Sequence, residues 1–182
     1  MEVGMSKFNI KDGIEILEKT PGVLQALMVD LSSHWINDKF DEKQWSPFDI
    51  VGHLLHGEKS DWISRTQIIL KFGEKKIFSP FDRFAQFEDS KGKTMADLLD
   101  EFTSLRWQNL ERLKALSLDA PELAKTGQHP DFGQVTLQQL LSAWVVHDLG
   151  HISQIVRCMA MRYKDDVGPW QAYLKIVGSQ ES

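Results

Sequence analysis

Two histidines four residues apart, His147 and His151, lie in a strongly helical stretch from Thr136 to Tyr163. Four residues is a little over one helical turn, so both imidazoles leave one face and can reach one ion. The run reads His147-Asp148-Leu149-Gly150-His151, with Gln154 further along the helix. Two imidazoles at this spacing supply half of a metal site. A third nitrogen donor must come from another element, and His53, on an upstream helical segment, is the candidate. Three neutral imidazoles leave a divalent ion with a charge of about +2 and an open position, where water or a thiol becomes nucleophilic near neutral pH.

Two carboxylates stand where helical periodicity expects apolar groups. On the downstream segment Leu137, Leu141, Trp144, Val145, Ile152, Ile155 and Met159 form the apolar stripe. His147 and His151 lie at its edge and Asp148 falls inside it. Upstream, Ile50, Val51, Leu54, Leu55 and Trp62 form the stripe, with Glu58 near its centre, His53 to one side and His56 almost opposite. A carboxylate rarely enters a core unpaired. Glu58 and Asp148 therefore either pair with an arginine, such as Arg65, Arg106 or Arg162, or accept the second N–H of a ligating imidazole. His34 and His56 read as solvated or core-satisfied histidines, and the six tryptophans as core or loop anchors.

The elements that must position these groups are marked by their start and stop signals. After a short amphipathic stretch, Ile10 to Glu18, Thr20-Pro21 predicts the start of a helix running to about Trp35. Ser46-Pro47 predicts a second helix, extending to about Phe72 and stopped by Gly73. Thr94 with Asp97 resembles a capping box and starts a third, to about Leu116. Thr136 caps the fourth, and Val167-Gly168-Pro169-Trp170 begins a short tail with room for one helical turn. Residues 73–93 and 119–135 read as long irregular connections, with strand signals nearly absent. The pattern predicts an all-α chain, a single domain over residues 1–182 built as a four-helix bundle with long crossover connections.

Composition narrows the function classes. The 182 residues are 42% apolar and 26% charged, ordinary for a globular domain with an ample core. A net charge of −5 argues against nucleic acid as a dedicated partner, since phosphate binding needs a basic surface. No apolar run approaches the ~20 residues that span a bilayer. Met1 to Lys11 lacks the apolar core of a signal peptide, so a cytoplasmic location is expected. The single cysteine, Cys158, excludes an internal disulfide and a cysteine-rich zinc site, and is expected to pack on the last long helix.

Known metal templates fit poorly. His147-Asp148-x-x-His151 is one methylene short of the His-Glu-x-x-His protease pattern, and no obvious carboxylate or His ligand follows downstream. A di-iron carboxylate bundle needs Glu-x-x-His pairs, and no Glu here stands three residues before a His. Serine-hydrolase, phosphate-loop and dinucleotide fingerprints are missing.

A wider set of stretches carries a resemblance. They are His53-Leu54-Leu55-His56-Gly57-Glu58, Asp61-Trp62-Ile63 with Arg65, Pro80-Phe81-Asp82-Arg83-Phe84, His129-Pro130-Asp131-Phe132-Gly133 before Val135-Thr136-Leu137, Trp144 to Ile152 with Gln154-Ile155, and Val167-Gly168-Pro169-Trp170. In this order and spacing, over about Trp45 to Leu174, the chain resembles the DinB superfamily, the DinB/YfiT-like metalloenzymes. The resemblance implies a four-helix bundle and a divalent metal, nickel or zinc, held by His53 from the second helix and His147 and His151 from the last. His56 and His129 fall outside the implied ligand positions. It further implies a small-molecule substrate and a homodimer. A thiol-dependent S-transfer using a low-molecular-weight thiol is expected ahead of hydrolysis, with a non-catalytic, metal-bound stress-response module as the other alternative. The same ligands serve either reaction. Substrate contacts are expected on the 73–93 and 119–135 connections, where Arg83, His129 and Asp131 stand.

Overall fold

The computed structural model describes residues 8–178, so the expectation for Met1 to Lys11 falls mostly outside the described residues. The elements are α1 (Ile10–Met28), α2 (Ser33–Asn37), α3 (Pro47–Ser60), α4 (Trp62–Phe72), α5 (Ala85–Asp89), α6 (Met95–Ala115), α7 (Ala120–Leu123), β1 (Thr126–His129), β2 (Gly133–Thr136) and α8 (Leu137–Met161). Three of the four start signals hold. Ser46 caps α3 in a reciprocal box with Asp49, Thr94 caps α6 with Asp97, and Thr136 caps α8 with Gln139. Each box pairs backbone N–H groups that a helix start otherwise leaves without partners. Where one turn was expected, the tail forms two 3-10 segments, Gly168–Ala172 and Lys175–Val177.

Helices α1 and α3 each pack against both α6 and α8. The bundle's first two long helices therefore stand at opposite corners, and long connections carry the chain across. The core divides in two. One apolar cluster gathers Leu17, Trp62, Leu110, Leu113, Leu141 and Trp144, and the other Leu24, Leu55, Leu98, Phe102 and Ile155. Between them on the four helices lie Thr20, Glu58, Arg106 and Asp148, all buried.

Four further expectations are corrected. The break at Thr20-Pro21 does not occur, because α1 runs through it with Pro21 inside the helix. That helix ends at Met28 rather than about Trp35, since Asp30 turns to φ +61° and the short α2 follows as a separate element. Proline lacks the N–H that would bond the carbonyl four residues back, that of Leu17. That carbonyl accepts from Arg106 Nη1 at 3.0 Å instead, so the tertiary fold repairs the missing bond. The expected second helix divides at Asp61 (φ −111°, ψ −76°) into α3 and α4. The Glu58 carbonyl near the break accepts from the Asn109 side chain at 2.8 Å. The 73–93 connection is less irregular than expected, since it contains α5 and a 3-10 turn at Gly73–Lys75. The 119–135 connection holds α7 and an antiparallel hairpin in which His129 pairs with Gly133. Its signal was present in Pro130-Asp131-Phe132-Gly133, a three-residue turn closed by Gly133 at φ +72°, where glycine avoids a side-chain clash.

Candidate metal centre

His53 sits two turns into α3, while His147 and His151 share one face of α8, and the packing of these helices brings all three together. His147 Nε2 lies 3.0 Å from His53 Nε2 and 3.1 Å from His151 Nε2. The three donor atoms all fall within 4.8 Å of one another. Each ring is held by aromatic neighbours. Trp45, immediately before the α3 cap, packs on His53 at 4.9 Å between centroids and lies nearly parallel to His151 at 6.5 Å. Phe81 meets His53 edge-on, and Trp62 does the same to His147 at 5.1 Å. Two of the six tryptophans therefore wall the cluster, a role that composition did not signal.

The tautomers follow from the second ring nitrogens. With Gln154 Oε1 as acceptor, His151 donates from Nδ1 at 2.9 Å, which leaves a lone pair on Nε2 facing the cluster. The Nδ1 atoms of His53 and His147 are buried without a hydrogen-bond partner among the described residues. Burial, then the neighbouring His151, His56 and Arg83, pushes the His53 imidazole down to about 4. Burial, then His151, His53 and Arg106, takes His147 to about 3. Burial also lowers His151, against opposing contributions from Gln154 and Asp148. All three rings are neutral at physiological pH, the form in which an imidazole is a ligand.

A stability effect follows, with its sign fixed by the lowered values. An unfolded histidine takes up a proton near 6.5, whereas His53 in the fold resists until about 4. The cluster's contribution to metal-free stability is complete above pH 6.5 and is lost as the pH falls toward about 4 for His53 and about 3 for His147. Denaturant midpoints of metal-free protein should therefore drop on acidification through this window, and less so in His147→Asn. An equally steep drop in that variant would place the titration elsewhere.

Glu58 and Asp148 are both buried, and Arg106 ties them together. Arg106 donates from Nε and Nη2 to Glu58 Oε1 at 3.1 and 2.8 Å. It donates from Nη1 and Nη2 to Asp148 at 2.5 and 3.1 Å, and from Nη1 to the Leu17 carbonyl. All five guanidinium N–H groups thus have acceptors. Thr20 Oγ1 donates to Asp148, Asn109 Nδ2 to Glu58 Oε2, and Trp144 Nε1 to Glu58 Oε1. Neither carboxylate hydrogen-bonds one of the three imidazoles. Of the two roles open to these carboxylates, the structure places them in the arginine pair. Burial pushes the Glu58 carboxyl up, whereas Arg106, although burial opposes it, is held above its usual range by the two carboxylates. The surroundings decide for the charged pair, because Glu58 meets only donors.

This layer connects to the histidines through stacked rings. Arg106 lies over Trp144, Trp144 stacks on Trp62 at 5.7 Å and 6°, and Trp62 abuts His147. The α5 connection is docked on α3 beside His53. A side chain at Gly52 would meet Gln86 Oε1 at 2.6 Å, and His56 pairs with Asp89 at 3.1 Å. That docking places Phe81, Arg83 and Phe84 around the cluster. His34 is exposed near Asp38, and Cys158 is buried on α8 as expected.

Two clefts open from the cluster and share only His53 and His147. One, of about 510 Å³, also reaches His151 and is lined by Lys43, Gln44, Trp45, Arg83, Phe84 and Gln154. The other, of about 300 Å³, runs under the hairpin past Asp61, Arg65, His129 and Asp131. His129 Nδ1 accepts from the backbone N–H of Asp131 and Phe132, so its ring proton sits on Nε2.

Comparisons with known proteins agree with this architecture. Proteins of Bacillus cereus (strain AH820) and Bacillus anthracis (strain CDC 684 / NRRL 3495), each named "putative metal-dependent hydrolase", are 25% identical over 146 residues, spanning 78% of this chain and 80% of theirs. A structure described as "YfiT from Bacillus subtilis is a probable metal-dependent hydrolase with an unusual four-helix bundle topology" superposes with a TM-score of 0.71, over 92% of this chain and 93% of that one, at 22% identity. The sequence model of the DinB superfamily matches residues 16–155, and on that match this four-helix bundle belongs to the DinB superfamily.

Proposed function

We propose that the chain is a divalent-metal-dependent hydrolase of small molecules, with His53, His147 and His151 as the metal ligands. The observation that carries this reading is the convergence of three neutral Nε2 atoms with His147 at the centre. One ring nitrogen offers a proton or a lone pair, so His147 cannot make a good hydrogen bond to both neighbours at once. Nitrogens each ~2.0–2.1 Å from a shared ion stand roughly 2.9–3.4 Å apart, so the spacing fits a common cation. Imidazole suits zinc and nickel alike. When bound, such an ion supplies Lewis acidity and lowers the pKa of a water or thiol beside it.

The chain's own contribution is positioning. Trp45 and Trp62 fix the ring planes, Gln154 holds the His151 tautomer, and His129 offers a fixed Nε2–H donor in the second cleft. The names of the relatives favour hydrolysis, which reverses the order expected from the resemblance. The presence of two clefts at one cluster favours a second reading, S-transfer from a low-molecular-weight thiol, because transfer needs room for two organic molecules. The homodimer remains part of the proposal, with Val146, Leu149 and Val156 forming an exposed apolar strip on α8. Among the described residues no helix is long and apolar enough to cross a membrane.

Zinc- or nickel-reconstituted protein assayed on ester and amide substrates, with and without bacillithiol, mycothiol or glutathione and an electrophile, separates the readings. We expect thiol-independent, metal-dependent turnover that disappears in His53→Ala. Turnover seen only with a thiol would establish transfer, and failure to take up either metal would end both.

A further inference from the structure

The larger cleft differs in charge from the rest of the chain. The protein carries a net −5, yet the charged residues lining this cleft are Lys43 and Arg83, with no Asp or Glu. Neither cation forms an ion pair among the described residues. The smaller cleft is different, since it contains Asp61 and Asp131, and its Arg65 is tied to Asp61 at 2.5 Å. Trp45 and Phe84 give the larger cleft apolar walls, and Arg83 lies 5.2 Å from the Phe84 ring centroid. Unpaired cations between low-dielectric walls concentrate anions. The cleft also continues. Gln44 and Gln154 border a neighbouring groove of about 380 Å³ that runs along Gly150 and Ser153 to Arg157, again without a carboxylate.

We infer that this cleft binds a small molecule with an apolar body and an anionic group, a carboxylate or phosphate, held by Lys43 and Arg83 while the body lies against Trp45 and Phe84. The inference deepens the proposed reaction and rests on that reading for the identity of the site. It names the substrate class and assigns Lys43 and Arg83 to specificity. Guanidinium and ammonium groups recognise both anions, the first as a planar fork and the second as a point charge. The docked α5 connection holds Arg83 and Phe84 beside His53, so an anion bound there lies next to the cluster.

Zinc-loaded protein titrated with benzoate, with its uncharged isostere benzamide and with inorganic phosphate, by calorimetry and by NMR of the indole N–H signals, tests the inference. Benzoate or phosphate should bind, and benzoate should exceed benzamide. In the Lys43→Gln Arg83→Gln double variant anion affinity should fall by about tenfold or more, the scale of one lost charge-assisted hydrogen bond. Zinc uptake measured on the same samples should be unchanged, because both side chains are exposed and neither is a proposed ligand. Equal binding of benzamide and benzoate, or anion binding undiminished in the double variant, would overturn the assignment and leave any anion on the metal alone. Wild-type protein that takes up no zinc but loses anion binding in the double variant would uphold the anionic cleft and refute the metal reading.

Discussion

Arg106→Leu is expected to reduce the unfolding free energy by about 3–5 kcal/mol, the cost of removing one partner from a buried ion pair. Two carboxylates would remain in the core without their common cation, and the Leu17 carbonyl, already without the N–H that Pro21 lacks, would lose its Arg106 donor. Since a domain of this size is stable by ~5–15 kcal/mol, the variant should lie near the edge of folding. Arg106→Lys should recover part of the loss. It restores the charge, but three ammonium donors cannot occupy five directions across four helices. The triple variant Glu58→Leu Arg106→Leu Asp148→Leu should be more stable than Arg106→Leu alone, because no charge is then buried unpaired. Denaturant unfolding checks each point. A single variant within ~1 kcal/mol of wild type would mean that water reaches the layer and screens it.

The effect extends to the histidines. Glu58 is on α3 with His53, and Asp148 is on α8 between His147 and His151. Arg106 therefore clamps the two helices that supply the cluster, in a layer next to it. A stabilised triple variant should still show weaker zinc binding than wild type if this clamp sets the spacing of the imidazoles.

This layer shows what the sequence discloses and what it withholds. Glu58 and Asp148 stood out because a carboxylate on an apolar stripe must be paired, and that inference needs only the periodicity of one helix. Choosing Arg106 over Arg65 and Arg162 needed the arrangement of helices in space, which local patterning does not contain. The His147–His151 pair was legible for the same local reason, since both rings belong to one helical turn. His53 could be named as a candidate from its helix, and the family resemblance supported it, but its 3.0 Å approach to His147 depends on how α3 packs on α8. Helix starts were legible at Ser46, Thr94 and Thr136, where a side chain caps its own backbone, but the caps at Asn9 and Asp119 passed unread because no long apolar stripe was assigned to follow them. Stops and continuations failed where tertiary contacts replaced local ones. Arg106 compensates for Pro21, and Asn109 bonds the Glu58 carbonyl near the α3–α4 break. Trp45 looked like any loop tryptophan, because only the folded chain lays it across His53 and His151.

His147→Ala is expected to have the largest functional effect, removing stoichiometric zinc binding and with it any metal-dependent activity. His147 Nε2 stands 3.0 and 3.1 Å from the other two, so its loss removes both of these close approaches. Two remaining imidazoles do not make the three-ligand set of a zinc site with an open position. Gln154→Leu provides the graded comparison. It removes the acceptor that holds the His151 tautomer and leaves all three ligands, so zinc affinity should fall by ~10–100-fold, the usual cost of losing such a partner. His147→Ala should exceed that range. The loss must also depend on the metal. Zinc should raise the thermal midpoint of wild type and Gln154→Leu but not of His147→Ala, since a ligand that binds only the folded state stabilises it by mass action. A zinc-induced rise in His147→Ala equal to that of wild type would remove His147 from the ligand set, and the three-nitrogen convergence would then be a packing arrangement held by Trp45 and Trp62.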